Sequence, residues 1–265
     1  MIVRLNGGLG NTLFQWAFGR SVGLVRGEEV SYETKWMGRG ETRAYSLGAF
    51  DMDVQFGDSH GRPEYVEKQP NIYDPEVYIA PPSSFFIGNW QTSKYFNEPI
   101  IRKELTLRNP VNDETQRVAE EILAGPSAFV HVRRGDYTDA GVQQLLALQG
   151  PDYYLHAMKY VQERVPNVRF FAFSDEPNWC QANLNCRVVS HNGVGNGDTG
   201  PSTEHEDLWL MSLCDHAVIP NSTFGWWGAW WGEVRKPRIV VAPGKWFNNP
   251  NYSARDIVPE HWIKL

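Results

Sequence analysis

The sequence predicts an α/β protein built on parallel sheets, and three observations lead there. Between residues 115 and 242, short apolar runs alternate with segments of helical length, and each run is apolar throughout, as strands buried on both faces are. The chain opens as strand, glycine turn and helix, over residues 2–5, 6–10 and on to Arg26. Its 265 residues correspond to about two domains. The polar, proline-containing stretch 108–113 sets the expected division at 1–109 and 110–265.

Taken in order, the opening helix is marked by Leu13 and Ala17 and by Phe14 and Phe18 at i, i+4, with Gly27 as its stop. Residues 31–82 have poor periodicity and frequent Gly, Pro, Asp and Tyr, and are expected to be irregular. A strand returns at 84–88, then a short helix at 95–105. Beyond the linker the spacing predicts helices at 115–124, 152–165, 177–184, 203–214 and 223–233. Strands are predicted at 128–132, 169–173, 187–190, 217–220 and 238–242, with a glycine-rich loop at 193–200. Such sheets take their ligands outside the carboxyl ends of the strands. Four chemically loaded segments fall there: 133–136, Ser174 with Asp175, the 193–200 loop, and 221–224.

Composition narrows the function. A net charge of −6 argues against attraction to a nucleic-acid backbone or an anionic bilayer, so an anionic ligand needs a local basic site. Eleven tryptophans tilt the reading towards carbohydrate or nucleotide. Three cysteines without a CxxC pair make a disulfide framework or a zinc site improbable. No signal-peptide pattern and no run of 18 apolar residues occurs, so a soluble cytoplasmic protein without stable membrane insertion is expected.

Two constellations carry the chemistry. In His131-Val132-Arg133-Arg134-Gly135-Asp136-Tyr137, adjacent arginines at a strand end offer forks suited to phosphate oxygens; surface salt bridges are the plainer reading. In Asn221-Ser222-Thr223-Phe224, hydroxyls and helix N-terminal amides make an anion site, or else ordinary capping of a tryptophan-rich helix. The turn at Gly7-Gly8-Leu9-Gly10-Asn11 is neither a Walker loop nor a dinucleotide fingerprint. The acids of Glu204-His205-Glu206-Asp207 open a helix, where they ordinarily complement its dipole. HExxH is absent, and the one DxD match, Asp51-Met52-Asp53, lies in the irregular region.

Taken together, GGLGN, HVRRGDY, FAFSDEPNWC, LWLMSLCDHAVIPNSTFGWWGAWW and APGKWF, in this order, resemble the alpha-1,2-fucosyltransferases of glycosyltransferase family 11. The resemblance implies a GT-B-like arrangement of two Rossmann-type domains with parallel sheets. The carboxyl-terminal domain would hold GDP-fucose and the amino-terminal one mainly the acceptor glycan. It implies inverting transfer of L-fucose from GDP-β-L-fucose to the 2-hydroxyl of a terminal galactose or similar sugar, with neither metal nor cofactor. Residue by residue, Arg133 matches the arginine on the diphosphate, Arg134 its neighbour, and His131 a residue beside the nucleotide. Asp207 matches an acid on the guanine edge. Ser222, Thr223 and Phe224 match the diphosphate-and-nucleoside turn that Asn221 opens, and Asn11 an Asn facing the reaction centre. Thr12 stands where the family usually has Gln and Gly225 where Ser is common, departures that bear on the acceptor rather than the donor.

The scheme is chemically coherent. Charge left on the diphosphate as the anomeric bond breaks is met by preorganised arginine and helix-terminal donors. The acceptor proton would go to a carboxylate, either Asp136 or one within 31–82, unless a dissociative reaction needs no strong base. Two rivals stay open: another GDP-sugar as donor, or a carbohydrate-binding module with a decayed nucleotide site. For the acceptor, Trp16 is assigned to the core and Trp36 to an exposed sugar platform.

Overall fold

A computed structural model describes residues 1–35, 37, 44–192, 203–234 and 237–265. Trp36 and the 193–200 loop lie outside the described residues. The chain divides into two compact units, Met1–Asn109 with Tyr252–Pro259, and Pro110–Asn251 with Glu260–Leu265. The segment Tyr252–Pro259, numbered within the expected second domain, thus belongs to the first unit.

The first unit carries a four-stranded sheet in the order β2-β1-β4-β3, from β1 (Ile2–Arg4), β2 (Ser31–Glu33), β3 (Glu64–Val66) and β4 (Phe85–Ile87), all parallel. Helix α1 (Leu9–Arg26) follows β1 and ends at Gly27, whose φ of 65° is the left-handed cap a glycine adopts without strain. The helix is buried on most of its circumference because it lies under an aromatic cluster. Phe18 stacks on Trp90 at 4.1 Å and meets Tyr95 edge-on at 5.0 Å. The expected helix at 95–105 is a 3₁₀ turn at Ser93–Tyr95 followed by α2 (Glu98–Glu104), with Pro99 in its first turn. The Tyr252–Pro259 segment is pinned by buried Asp256, which accepts from the Tyr73 N–H (2.9 Å) and Lys94 Nζ (2.8 Å).

The second unit follows the alternation read from the sequence. Its helices are α3 (Asp113–Leu123), α4 (Ala140–Gln143), α5 (Pro151–Gln162), α6 (Pro177–Asn183), α7 (Glu204–Leu213) and α8 (Thr223–Gly232). Its strands are β5 (Ser127–Val132), β6 (Arg169–Ser174), β7 (Arg187–Val189), β8 (His216–Val218), β9 (Val240–Ala242) and β10 (Ile263–Lys264), all parallel. The sheet order β10-β9-β8-β5-β6-β7 places the first strand of the unit between its second and its fourth. Chain progression therefore reverses between β5 and β8, the place where open α/β sheets leave a ligand crevice.

Strand β5 is buried along its whole length. With a side-chain period of two, Ala128, Val130 and Val132 join Tyr154, Ala157 and Met158 of α5 in one core, while Phe129 and His131 face the other way. On that side lies α8, apolar all round as a fully buried helix is. A Cβ at Gly228 would come within 2.8 Å of Met211 Cβ on α7, so glycine sets the close approach of the two helices. Trp16, Trp90, Trp226, Trp227, Trp230, Trp246 and Trp262 are all buried. Most of the tryptophan richness is thus core rather than sugar-stacking surface.

Candidate active site

The carboxyl end of β5 turns through Arg133 and Arg134 into a short 3₁₀ helix, Gly135–Thr138. Asp175, just beyond β6, organises that turn. Its Oδ2 lies 2.9 Å from Arg133 Nη1 and its Oδ1 accepts the Arg134 N–H at 3.0 Å. A Cβ on Gly135 would sit 2.7 Å from Asp175 Oδ2, so only glycine admits the carboxylate there. Arg133 also pairs with Asp136, and its guanidinium lies 5.7 Å from the Tyr137 ring centroid. Arg134 points elsewhere: Nε meets Glu176 Oε2 at 3.1 Å and the guanidinium stacks 4.4 Å over Trp179. Ser174 Oγ accepts the Glu176 N–H at 2.9 Å, fixing the loop that carries Asp175 and Glu176.

The carboxyl end of β8 supplies the opposite wall. The Tyr137 hydroxyl donates to the Asn221 carbonyl (3.0 Å) and ties the two strand ends together; burial pushes that phenol up to about 12. Asn221 is itself buried, Nδ2 donating to the Trp246 carbonyl at 2.7 Å and Oδ1 having no hydrogen-bond partner. Ser222 caps α8 through its backbone, its carbonyl accepting the Trp226 N–H at 3.0 Å, while its hydroxyl makes no capping bond. The first amides of α8, beginning at Thr223, open at this position.

His131, the penultimate residue of β5, is buried against α8. Its ring lies 5.5 Å from that of Phe224, and its Nδ1 has no hydrogen-bond partner among the described residues. Burial, with Arg133 adding repulsion, depresses the imidazole to about 3, so it is neutral at ordinary pH. Gly225 faces it: a Cβ there would lie 2.6 Å from Nδ1. A serine at 225 would require the ring to sit differently.

Asp207 sits in the first turn of α7, with Oδ1 accepting from Asn192 Nδ2 at 2.8 Å. Burial pushes its carboxyl up to about 7, with Glu206 and Glu204 adding and Asn192 opposing. The helix-start acids are not a solvated dipole complement, since Glu204 and Glu206 are both buried.

The model of the Glycosyl transferase family 11 description matches residues 82–265, well over half of the chain. The chain belongs to glycosyl transferase family 11. An alpha-1,2-colitosyltransferase of Escherichia coli is 29% identical over 289 residues, covering 100% of this chain and 98% of that one. Galactoside alpha-(1,2)-fucosyltransferase 1 of Rattus norvegicus is 30% identical over 175 residues, 62% of this chain and 44% of its own. Among solved structures, fucosyltransferase NodZ from Bradyrhizobium aligns with a TM-score of 0.56 at 17% identity, covering 91% of this chain and 94% of that one. The α/β fold with two parallel sheets is therefore that of the GT-B fucosyltransferases.

Within this family 11 member, Asn11 belongs to the first unit, near the start of α1. Its Oδ1 accepts from Gln91 Nε2 at 3.1 Å. Gln91 follows Trp90, whose φ of 55° is held by backbone N–H groups: Glu67 accepts from Asn71 (3.1 Å), Asn89 (2.7 Å) and Trp90 (3.2 Å). Thr12 bonds back to the Leu9 carbonyl inside the helix (3.0 Å). Asp51 and Asp53 are exposed. Among the described residues, no group of three or more His, Cys, Asp or Glu could hold a metal ion, and no helix is long and apolar enough to cross a membrane. Sequence reasoning missed Tyr137, Asn192, Glu206 and Gln91. Tyr137 stood within HVRRGDY and Glu206 within the helix-start acids, but their partners, like Asn192 and Gln91, are assigned by contacts that local spacing does not encode.

Proposed function

We propose that the protein transfers L-fucose from GDP-β-L-fucose to the 2-hydroxyl of a terminal galactose or similar sugar of a glycan, forming an α-1,2 linkage with inversion. The observation that carries this reading is the meeting, at the β5/β8 switch point of a family 11 chain, of a carboxylate-aimed guanidinium with the amino end of α8. The second unit holds the donor, and the first, with Asn11, takes the acceptor sugar.

As the bond between the anomeric carbon and the β-phosphate oxygen breaks, its electron pair stays on the diphosphate. Arg133 is the donor that grips it. Asp175 is the fixed partner that aims the guanidinium. Asp136, with a side chain 57% exposed against 19% for Asp175, is the exchangeable counter-charge that phosphate oxygens displace. The α8 amides and the uncommitted Ser222 hydroxyl add neutral donors, and Thr223 and Phe224 carry the chain past the nucleoside. Neutral His131 lies beside the nucleotide, and Asp207 accepts from the guanine edge. Arg134, committed to Glu176 and Trp179, fixes the loop carrying Ser174 and Asp175. The acceptor oxygen attacks the face opposite the leaving group, and its hydroxyl proton passes to a carboxylate, either Asp136 once phosphate oxygens have displaced it from Arg133 or one within residues 31–82.

The relative matched end to end is a colitosyltransferase, which favours one specific alternative, a GDP-sugar other than fucose on the same site. We place the reaction in the cytoplasm, in keeping with free Cys180, Cys186 and Cys214. The deciding experiment is a screen of GDP-fucose, GDP-colitose and GDP-mannose against terminal galactosides, with linkage analysis of the product. GDP-fucose is expected to give an α-1,2-linked product at an undiminished rate in excess EDTA. Loss of transfer in EDTA with recovery on adding magnesium or manganese would overturn the metal-independent reading. Absence of transfer from every donor would return the chain to a carbohydrate-binding module.

A further inference from the structure

Asp207 is one member of a polar cluster where the end of β7, the start of α3 and the start of α7 meet. Asn192, three residues beyond β7, donates from Nδ2 to Asp207 Oδ1 at 2.8 Å, with Thr115 Oγ1 3.4 Å away. Thr115 in turn donates to buried Glu206 and lies 2.8 Å from His191 Nε2, while Asn112 donates to Glu206 through its side chain. Glu206 is thus tied down by α3 and its cap, whereas among the described residues Asn192 alone donates to Asp207. The other end of the Asn192 amide, Oδ1, is buried with no hydrogen-bond partner among the described residues. Buried side-chain amides ordinarily have both ends satisfied, and burying a lone acceptor is costly.

We propose that Asn192 is a positioning residue for the donor base: its N–H holds the Asp207 carboxylate ionised and turned so that both oxygens meet the N–H donors of guanine. The inference rests on the reading of Asp207 as the guanine contact. The electrostatic setting makes such a donor necessary. Asp207 is desolvated, and the groups bearing on it, Glu206 and Glu204 from its own helix, are both acidic. From the end of β7 comes His191, itself depressed by burial with Glu114 and Glu206 opposing. His205 on α7 is likewise depressed by burial. Helix α8, the other neighbour of α7, carries no ionisable side chain. Among the described residues no cation bears on Asp207, so the amide N–H is what favours its charged form.

The test is GDP affinity by calorimetry between pH 5.5 and 8.5 for the parent protein, Asp207→Ala, Asn192→Ala and Asn192→Asp. Only the ionised carboxylate accepts from both guanine N–H donors, so parent affinity should fall as pH drops through about 7. Removing the Asn192 donor raises the Asp207 pKa further and moves the midpoint to higher pH. A move of about one pH unit lowers affinity about five-fold at pH 7 and leaves it nearly intact at pH 8.5. Asn192→Asp, close to isosteric, should move the midpoint further by like-charge repulsion and reports even if the alanine variant folds poorly. Comparing variants against one ligand cancels the titration of the phosphates. A loss by the same factor at every pH, or an unmoved midpoint in both Asn192 variants, would overturn the proposal. Asp207→Ala should bind weakly with a flat profile; if it keeps the parent profile, the guanine reading of Asp207 itself is wrong, and the proposal falls with it.

Discussion

Arg133→Ala is expected to lower transfer by about 10²-fold or more while hardly moving the melting temperature. The side chain stands at a strand end, outside the β5 core, and spends its nitrogens on Asp175 and Asp136. Partly exposed ion pairs of this kind contribute about 0–1 kcal/mol to stability. Asp175 keeps the Arg134 N–H when the guanidinium is gone, so the turn survives. The leaving diphosphate has no such substitute. Donors already aimed at the developing charge need no reorganisation during the reaction, and this is where their rate effect arises. Arg133→Lys should fall between, since an ammonium keeps the charge but cannot fork between Asp175 and a phosphate oxygen. Steady-state kcat/KM together with a thermal scan decides the matter. A folded alanine variant with near-parent turnover would remove Arg133 from the reaction.

The same pair of strands shows what could be read from the chain and what could not. Segment 128–132 reads as a strand because a parallel strand covered on both faces is apolar at every position, and β5 is buried throughout. The strands β2 and β3 are three residues each, and β3 has a mostly exposed pattern, so no periodicity marks them. Tyr32 and Glu33 are buried by partners far along the chain, the Trp16 carbonyl at 2.9 Å and the Ser59 hydroxyl at 2.7 Å. Spacing within residues 31–82 cannot reveal such contacts.

The candidate site divides in the same way. Arg133, Ser222 and Asp207 stand in local motifs whose order carries the family resemblance. Their supports do not. Asn192 reaches Asp207 across fifteen positions, and Thr115 reaches Glu206 across 91. The acids of the first α7 turn read locally as a dipole complement, and only the packing of α3 against α7 turns Glu206 into a buried acceptor. Tryptophan content misleads for a related reason: composition counts rings but not their depth, and in α8 the rings fill the core while Gly225 gives His131 its place.

A second arginine makes the contrast between rate and stability testable. Arg238 precedes β9, and its guanidinium closes the carboxyl ends of two helices. Nη1 donates to the Gly228 (3.3 Å) and Ala229 (3.0 Å) carbonyls of α8. Nη2 donates to Met211 of α7 (3.4 Å), Cys214 (2.8 Å) and His216 (3.2 Å). The same group lies 5.6 Å from the Phe129 ring centroid, on the α8 side of the sheet, and comes so close to Gly232 that no side chain fits there. Carbonyls at helix ends have no partner within their own helix, and a cation complements the dipole at that end. Arg238→Ala strips all five acceptors at once and leaves a gap beside Phe129. The expected loss is about 3 kcal/mol, discounted for water that can reach part of the site, or roughly 5 °C in melting temperature. Transfer by the folded fraction, assayed well below the transition, should stay within about two-fold of the parent, because these contacts are to α7, α8, Cys214, His216 and Phe129 and not to Arg133, Asp175 or Ser222. An unchanged melting temperature would mean that solvent satisfies the two helix ends as well as the guanidinium does.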